Sequence, residues 1–585
     1  MKPVADAYRR GYFVVLVVLV GVISGFGSIM LYTLIDFSTT LFLENLDSYS
    51  PPSAAGECSI FQFHLNVPKI PLWIIPAIGG LLSGLIVYTL APEAEGEGID
   101  AVVKAYHRGR AMIRGRIPII KIVTSAITIG SGGSAGREGP IAQIGAGFGS
   151  FIGNLFKLTD RERRLLVIAG IGGGLGSIFR SPLGGALFAV EVLYKRDTEV
   201  EGLVYAVISS IIAYIVFNYF LMSVSPNYSG TIFRTPPFEI RHPAEILIFG
   251  VVGVFAALIA KLYVWVFYTV HDFFKRLKIS NYFKPVIGGL LTGIIGIFVP
   301  QALEMGYGYA QLAIDGKLAL STILMILFAK IFATSFTVGS GGSGGAFAPS
   351  VVIGGMVGGA VGYLMKLMFP TIVTNPGIYV IVGMGAFIAA VAKTPIASIT
   401  MVVEMSGSYM ALPAIMIASA VSYLLSGETT IYREQVDTRA DSPAHRRELM
   451  RDILEGLKVR DAMTPAENVI TVSPKNTLQD VLYLIRETGH LGYPVVENGK
   501  IIGMITLSDI NSVPEDELVK LRVEDVMSRK IIVVSPEDNL ENALKLLIRH
   551  DIGRLPVVEN GKLVGIITRS DIMRAHAKEL ARLGI

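Results

Sequence analysis

Residues 130–140 read GSGGSAGREGP and residues 339–349 read GSGGSGGAFAP, one glycine-rich device met twice at an offset of 209. A second matched pair follows. Residues 180–191 read RSPLGGALFAVE and residues 393–404 read KTPIASITMVVE, an offset of 213 that sets Pro182 on Pro395 and Glu191 on Glu404. Self-similarity at a fixed offset marks a duplication. The surroundings are apolar: 52% of the 585 residues are hydrophobic and 17% charged, against about 25% charged in average soluble chains. A single water-soluble domain is excluded. Runs at 12–36, 70–91, 203–224, 244–270, 284–300, 318–335 and 411–425 are long enough to span about 30 Å of hydrocarbon. Runs at 117–130, 139–156, 164–178, 350–367 and 377–392 are shorter and read as broken by glycine. They read as half-helices whose free ends must be satisfied by protein or by a water-filled cavity. A duplicated membrane domain of this kind places its substrate site where the halves meet. Whether the halves are inverted stays open at this point. The polar stretch 44–66, with Pro51, Pro52 and Gly56, reads as an exposed loop.

The charge is unevenly spread. Residues 451–585 hold 38 of the 98 Asp, Glu, Lys and Arg, so a soluble domain is expected there. It repeats as well: 494–509 reads PVVENGKIIGMITLSD and 556–571 reads PVVENGKLVGIITRSD, an offset of 62. Helix-period stretches at 477–488 and 539–550 alternate with the β-rich runs VITV, IIGMIT, IIVV and LVGIIT. Asn498-Gly499 and Asn560-Gly561 supply hairpin turns. The expected plan is a membrane domain over 1–435 and a linker over 436–458 that ends in a helix. A pseudo-symmetric α/β pair follows over 459–585, with copies at 459–513 and 523–585. Net charge is +4, and no basic run with interleaved aromatics points to nucleic acid. Cys58 is the sole cysteine, which excludes an intrachain disulfide and a thiolate metal cluster. Lys2, Arg9 and Arg10 precede the first apolar run with no small-residue cleavage site after it. This places a retained first helix in a cell membrane with a cytoplasmic N-terminus, and the soluble tail on the same side.

Glycine at this density exposes backbone N–H groups, and a helix can start where each stretch ends. Helix N-termini and amide nests attract anions. Two such cradles face to face make a dehydrated anion path. The plainer reading is close packing of helices by small residues. Arg137 and Glu138 sit inside the first cradle. A buried acid costs about 2.5–3.5 kcal/mol on insertion scales, which marks Glu138 as functional. A carboxylate beside an anion path takes the anion's place and leaves on protonation, so it is both gate and proton carrier. The plainer alternative is an Arg137–Glu138 ion pair. At the matching positions the second copy has Ala346 and Phe347, a neutral amide cradle.

GREGP at 136–140 and GGAFAP at 344–349, with APEAEGEGID at 91–100 before them and TTIYREQ at 429–435 after, resemble the signatures of the CLC family of chloride channels and chloride/proton exchangers. The resemblance covers roughly residues 12–435. It implies an all-α multi-span membrane domain, an inverted repeat of tilted and broken helices, in a homodimer with one pore per subunit. Carried over by position, Glu138 is the gating glutamate. Arg137 and Gly139 offer amides to an outer anion site, and Ala346 and Phe347 offer amides to a central one. Tyr432 donates its hydroxyl to the central anion, a role suited to a phenol because it donates without carrying charge. Gly98 and Ile99 belong to the inner-gate motif. Two positions depart from the family pattern. Glu97 stands where serine is usual. Either it is protonated, or it swings into an aqueous vestibule, or the inner site differs; the plain reading is a solvated glutamate at a helix start. Val192 stands where many exchangers carry an internal proton-delivering glutamate, with Glu191 or Glu97 as substitutes. The plain reading of Glu191 is structural, since Glu404 repeats it.

The tail resembles a tandem CBS (Bateman) pair through Gly503-x-x-Thr506-x-x-Asp509 and Gly565-x-x-Thr568-x-x-Asp571. That resemblance implies an adenine nucleotide (ATP, ADP or AMP) as regulator, its ribose on Asp509 or Asp571 and its phosphate near Thr506 or Thr568. A dimerisation module with empty clefts is the alternative. No cofactor is required and no metal site is expected. An intramembrane metalloprotease is discounted because no histidine is followed by glutamate. A CBS-regulated divalent-cation transporter would need carboxylates clustered in its pore. The expected protein is therefore not an enzyme. It moves chloride across a bilayer, with Glu138 and Tyr432 favouring chloride/proton exchange and Val192 leaving a passive chloride channel as the alternative. Pro140 argues against fluoride specificity.

Overall fold

Hydrocarbon offers backbone amides no partner, so apolar runs in a membrane domain become helices. The computed structural model describes residues 2–224, 230–237, 240, 242–445, 450 and 453–583. It falls into two compact units, Met1–Arg439 and Ala440–Ile585. The helix expected at the end of the 436–458 linker lies partly outside the described residues.

The first unit is helical. Its first half holds α1 (Lys2–Thr39), α2 (Ile75–Leu90), α3 (Ile99–Arg108), α4 (Ile117–Gly130), α5 (Glu138–Leu155), α6 (Asp160–Ile178), α7 (Pro182–Glu191) and α8 (Val200–Val224). The second half holds α9 (Glu245–Arg276), α10 (Lys284–Phe298), α11 (Tyr307–Ile314), α12 (Leu320–Gly339), α13 (Phe347–Met368), α14 (Gly377–Ala392), α15 (Pro395–Ser406) and α16 (Leu412–Ser426). Among the described residues, seven helical stretches are long and apolar enough to cross a membrane: Gly11–Asn45, Val200–Val224, Glu245–Arg276, Asn281–Phe298, Leu320–Gly339, Phe347–Met368 and Tyr409–Ser426. The run 70–91, expected to span, yields only the 16 residues of α2.

The glycine-bearing runs correct the sequence reading. They do not break: α5, α6, α13 and α14 are continuous over 18, 19, 22 and 16 residues. Their glycines bring backbones together instead, as small residues do between membrane helices. A Cβ on Gly145 would lie 2.0 Å from the Gly170 oxygen, and one on Gly170 would lie 2.0 Å from the Gly145 oxygen. The second copy repeats the contact between Gly354 and Gly383, at 2.6 and 2.2 Å. The expected exposed loop at 44–66 also differs, because it folds back onto the helical body. The Gly56 amide donates to the Ile232 oxygen at 3.0 Å, and the Pro52 oxygen packs so closely on Gly308 that a Cβ there would lie 1.8 Å away.

The second unit is built on a five-stranded antiparallel sheet. Strands β1 (Thr464–Pro465), β2 (Gly492–Glu497), β3 (Lys500–Thr506), β4 (Arg554–Glu559) and β5 (Lys562–Thr568) follow the order β1-β5-β3-β2, with β4 also on β5. The two hairpins turn at Asn498-Gly499 and Asn560-Gly561, where all four residues take positive φ. That backbone favours Asn-Gly. The hairpins meet through Lys500 and Lys562. Helices α17 (Leu478–Thr488) and α20 (Leu540–Arg549) cover them, burying Leu478, Val481 and Ile485 in one copy and Leu540, Ala543 and Leu547 in the other. Between these lie the short α18 (Leu507–Ile510) and α19 (Val523–Val526), and α21 (Arg569–Leu583) closes the chain. The expected strands VITV and IIVV shrink to single bridges, Val472 on Val495 and Val534 on Val557.

The packing reading of the helical glycines sets up a paired test. Gly170→Ala is expected to lower the melting temperature in detergent, by the roughly 1–3 kcal/mol of an overpacked core. Gly250→Ala in α9, where an added Cβ meets nothing within 4 Å, is expected to leave it unchanged or to raise it. Equal melting of the two variants would refute the close-approach role.

Candidate functional site

The two glycine-rich loops meet in the middle of the first unit. Gly136 and Gly345 exchange both backbone hydrogen bonds at 2.6 Å, a two-residue antiparallel bridge. Each loop is braced by the other copy. The Ser134 hydroxyl bonds Thr334 at 2.9 Å and its amide bonds the Thr337 hydroxyl at 3.1 Å, both on α12. Ser343 bonds the Thr124 and Ser125 hydroxyls on α4 at 2.9 and 3.1 Å. The loop serines are therefore braces. The consequence is that α5 and α13 present their N-termini to one another.

Glu138, the first residue of α5, is fully buried. Its carboxylate crosses to the second copy, where Oε2 accepts from the Ala348 amide at 3.2 Å in the first turn of α13. Oε1 accepts from the Tyr307 hydroxyl at 2.5 Å. A carboxylate thus stands where a helix N-terminus attracts an anion. Arg137 does not pair with it. Its guanidinium pairs with Glu57 from the 46–74 segment and stacks between the Tyr32 and Tyr307 rings at 5.4 and 5.7 Å. Ala346 is the N-cap of α13 and Phe347 its first residue. Among the described residues neither amide has an acceptor, as expected for the open end of a helix. The Phe347 ring is wedged against Phe179 and Phe188 at 5.0 and 5.5 Å.

A third strand of chain converges on the same point. A Cβ on Gly139 would lie 2.0 Å from the Glu97 oxygen and 3.0 Å from the Gly345 Cα, so this approach requires glycine. The 94–98 segment is held there by the buried Lys121, whose Nζ donates to the oxygens of Ala94 and Gly96 at 2.9 and 2.7 Å. The Gly96 oxygen also accepts from the Gly344 amide at 3.1 Å. Gly98 is the N-cap of α3 and Ile99 its buried first residue. Glu97 does sit at a helix start, its Oε1 accepting from the Asp100 amide at 2.6 Å. It is not solvated: the residue is 8% exposed, and its Oε2 is buried without a partner. Glu97, Gly98 and Asp100 line a cavity of about 570 Å³ with His271 and Arg433. Tyr432 is buried, and its amide donates to the Thr430 hydroxyl at 3.1 Å.

Glu191 is drawn elsewhere. It accepts from the Ala397 amide at 2.9 Å, capping the N-terminus of α15. Its repeat mate Glu404 does the reciprocal work on α7, accepting from the Ser181 hydroxyl at 2.5 Å and the Gly184 amide at 2.9 Å. Each acid of the pair thus accepts from backbone at the start of a helix in the opposite half. Val192 is buried, and its carbonyl accepts from Gln435 at 2.9 Å, which fixes the segment carrying Tyr432.

Three participants lie outside the sequence reading. Tyr307 had a signal: PEAEGEGI at 92–99 and PQALEMGY at 300–307 share proline, alanine and glycine at an offset of 208, which sets Tyr307 on Ile99. Lys330 repeats Lys121 at offset 209. Tyr263, buried in α9 with an unpartnered hydroxyl, had none, since a tyrosine in an apolar span is ordinary.

In the second unit Thr506 with Asp509, and Thr568 with Asp571, form capping boxes at the starts of α18 and α21. Oδ2 of Asp509 accepts from the Thr506 amide and hydroxyl at 2.8 and 2.6 Å, and Oδ2 of Asp571 accepts from Thr568 at 2.9 and 2.6 Å. Oδ1 of Asp571 is paired with Arg574. Among the described residues Oδ1 of Asp509 makes no ion pair.

Comparison with known proteins follows this division. The model of the family described as "Voltage gated chloride channel" matches residues 79–427, and that of the CBS domain matches 459–515 and 523–578. The chain is 31% identical over 371 residues to an uncharacterized protein of Methanocaldococcus jannaschii, covering 63% of this chain and 87% of the relative. It is 30% identical over 367 residues to the H(+)/Cl(-) exchange transporter ClcA of Vibrio vulnificus, covering 60% and 76%. A eukaryotic CLC transporter of known structure superposes with a TM-score of 0.55 at 18% identity, over 96% of this chain and 97% of that one. This last likeness concerns fold.

The capping geometry of Glu191 makes a distinct expectation. Glu191→Gln keeps an acceptor on Ala397 and should leave anion and proton fluxes in liposomes near the parent. Glu191→Ala should lower the melting temperature by the roughly 0.5–2 kcal/mol of a lost cap. Loss of proton movement in the glutamine variant, with anion flux retained, would instead put Glu191 on the proton route.

Proposed function

The chain belongs to the voltage gated chloride channel family, the CLC proteins, and on that premise we propose that it exchanges chloride for protons with Glu138 as the moving gate. It is a multi-pass membrane protein of anion transport and not an enzyme. One observation carries the reading: the Glu138 carboxylate lies on the Ala348 amide at the mouth of α13. Ionised, it fills the anion's position. Protonated, it loses the charge that holds it against the α13 N-terminus, and chloride replaces it. The open amides of Ala346 and Phe347 then receive the anion, those of Arg137 and Gly139 serve an outer site, and Tyr432 donates from the inner side beside Gly98 and Ile99. The name of the Vibrio vulnificus relative supports exchange.

On the inner side the proton passes through Glu97. Its Oε2 has no partner, and its backbone oxygen abuts Gly139, next to the gate. Val192 favours the second reading, a passive chloride channel, because it puts no acid at that inner position. The protein works as a homodimer through both units, in a cell membrane, with the N-terminus and the CBS pair cytoplasmic. The CBS pair binds an adenine nucleotide. Asp509 keeps one carboxylate oxygen available for the ribose, whereas Asp571 has first to release Arg574.

Liposomes loaded with chloride test the transport reading. A chloride gradient is expected to drive protons against their own gradient. Glu138→Gln should end proton movement, and Glu97→Gln should slow it while sparing chloride. Undiminished proton pumping in Glu138→Gln would overturn the gate assignment. Chloride flux without protons in the parent would establish the channel reading.

Calorimetry with ATP, ADP and AMP tests the CBS reading. Asp509→Asn retains an acceptor for Thr506 and is expected to weaken binding by roughly ten-fold, the worth of one hydrogen bond to a charged group. Asp571→Asn should cost less. Parent affinity for all three in both variants would move the site elsewhere.

A further inference from the structure

We propose that Tyr307 is the latch of the Glu138 gate and the group that hands it a proton from the cavity beside the 46–74 segment. The latch stands on geometry alone; the proton half rests on the exchange reading above.

Tyr307 opens α11, and the chain leading into it is fixed. The buried Nζ of Lys330 donates to the oxygens of Ala302, Leu303 and Glu304 at 3.1, 3.2 and 2.5 Å, three consecutive carbonyls. Gly306, at φ 86°, then turns the chain into the helix. The ring is held on two sides, edge-on to Phe233 at 5.5 Å and face-on to the Arg137 guanidinium at 5.7 Å. The hydroxyl is therefore delivered to Glu138 by a frame, and does not follow the carboxylate when it moves. Glu138 has two contacts to break on leaving, the Ala348 amide and this phenol. The phenol is the shorter of the two and comes from outside both glycine loops.

The same tyrosine lines a cavity of about 100 Å³ with Asp36, Glu57, Arg137 and Glu304. The groups facing Tyr307 are Glu138 and Arg137 at the start of α5, Glu57 from the 46–74 segment, and Lys330 behind Gly306. Arg137 is committed to Glu57. That leaves Tyr307 as the group joining the cavity to the gate. The transfer is a two-proton hop. The phenol O–H proton passes to Oε1 of Glu138, forming the carboxyl O–H bond. In the same event the phenol oxygen takes a proton from hydronium in the cavity. One proton moves in, no phenolate persists and no electron is transferred. The neutral carboxyl then leaves the α13 mouth. In the first copy the matching position is Ile99, which has no hydroxyl, so the device belongs to one half of the duplication.

Tyr307→Phe keeps the ring and removes only the oxygen. In liposomes the variant is expected to raise chloride flux by up to roughly ten-fold, the worth of a hydrogen bond to a charged group, and to lower the protons moved per chloride. The donated bond favours the ionised gate. Its loss should therefore shift the profile of chloride flux against pH on the cavity side towards alkaline values, by up to about one unit. A packing defect would instead lower both fluxes and leave the profile in place. In a Glu138→Ala background, Tyr307→Phe should change nothing further. Parent-like flux, coupling and profile in Tyr307→Phe would overturn the proposal, as would the same fold-change in both backgrounds. If the parent moves chloride without protons, the exchange reading and the proton half fall together. The latch is then decided by the chloride flux and its pH profile.

Discussion

Two helix N-termini are pinned head to head by a pair of glycine hydrogen bonds, and most of the membrane unit can be derived from that constraint. The Gly136–Gly345 bridge sets the first turns of α5 and α13 against one another. Unpaired buried amides cost about 1–3 kcal/mol each, and here two open helix ends share one space. A buried carboxylate is also unfavourable on its own. Placed together, each supplies what the other lacks. Glu138 belongs to one helix and satisfies the other. The arrangement favours something negative in the gap, and the proposed gate that exchanges with an anion rests on that condition.

Closing such a gap requires backbones nearer than side chains allow, which accounts for glycine at 139 and for the Gly145–Gly170 contact behind it. It also requires that the entering strands stay put. Lys121 and Lys330 do this from equivalent places, each spending its ammonium on backbone carbonyls of the segment that leads into α3 or α11. An ammonium ringed by carbonyls is a strong donor with several partners. It fixes a segment whose own hydrogen bonding is one short 3-10 turn, Pro92–Ala94 or Pro300–Ala302.

Local sequence made some of this legible and hid the rest. The duplication, the Asn-Gly hairpins and the GREGP and GGAFAP stretches were readable because each depends on neighbours along the chain. In one dimension a glycine that packs and a glycine that breaks a helix look alike, so the glycines of α5, α6, α13 and α14 read as breaks; the distinction lies in Gly170 and Gly383, which approach from another helix. The 44–66 stretch looked exposed by its polarity, yet Glu57 in it reaches Arg137 across 80 residues. VITV and IIVV have strand composition but make one parallel bridge each, Val472 on Val495 of β2 and Val534 on Val557 of β4. Tyr307 was readable in principle, through a third repeat at offset 208. Tyr263 was not, because its unpartnered hydroxyl is a fact of three dimensions.

The duplication also acts as an internal control on role. Positions that kept their chemistry in both copies hold the frame: Lys121 with Lys330, Ser134 with Ser343, Glu191 with Glu404. Each contacts backbone, or a hydroxyl of the opposite half. Positions that diverged fall at or beside the residues assigned to the proposed path: Glu138 against Phe347, Ile99 against Tyr307, Glu97 against Met305. A symmetric scaffold would offer an anion the same surroundings from both sides. Transport that couples two ions needs them to differ, with an acid that can move on one side and a fixed donor on the other. The substitutions that break the repeat fall at those places, while the residues that preserve it hold the two halves in register.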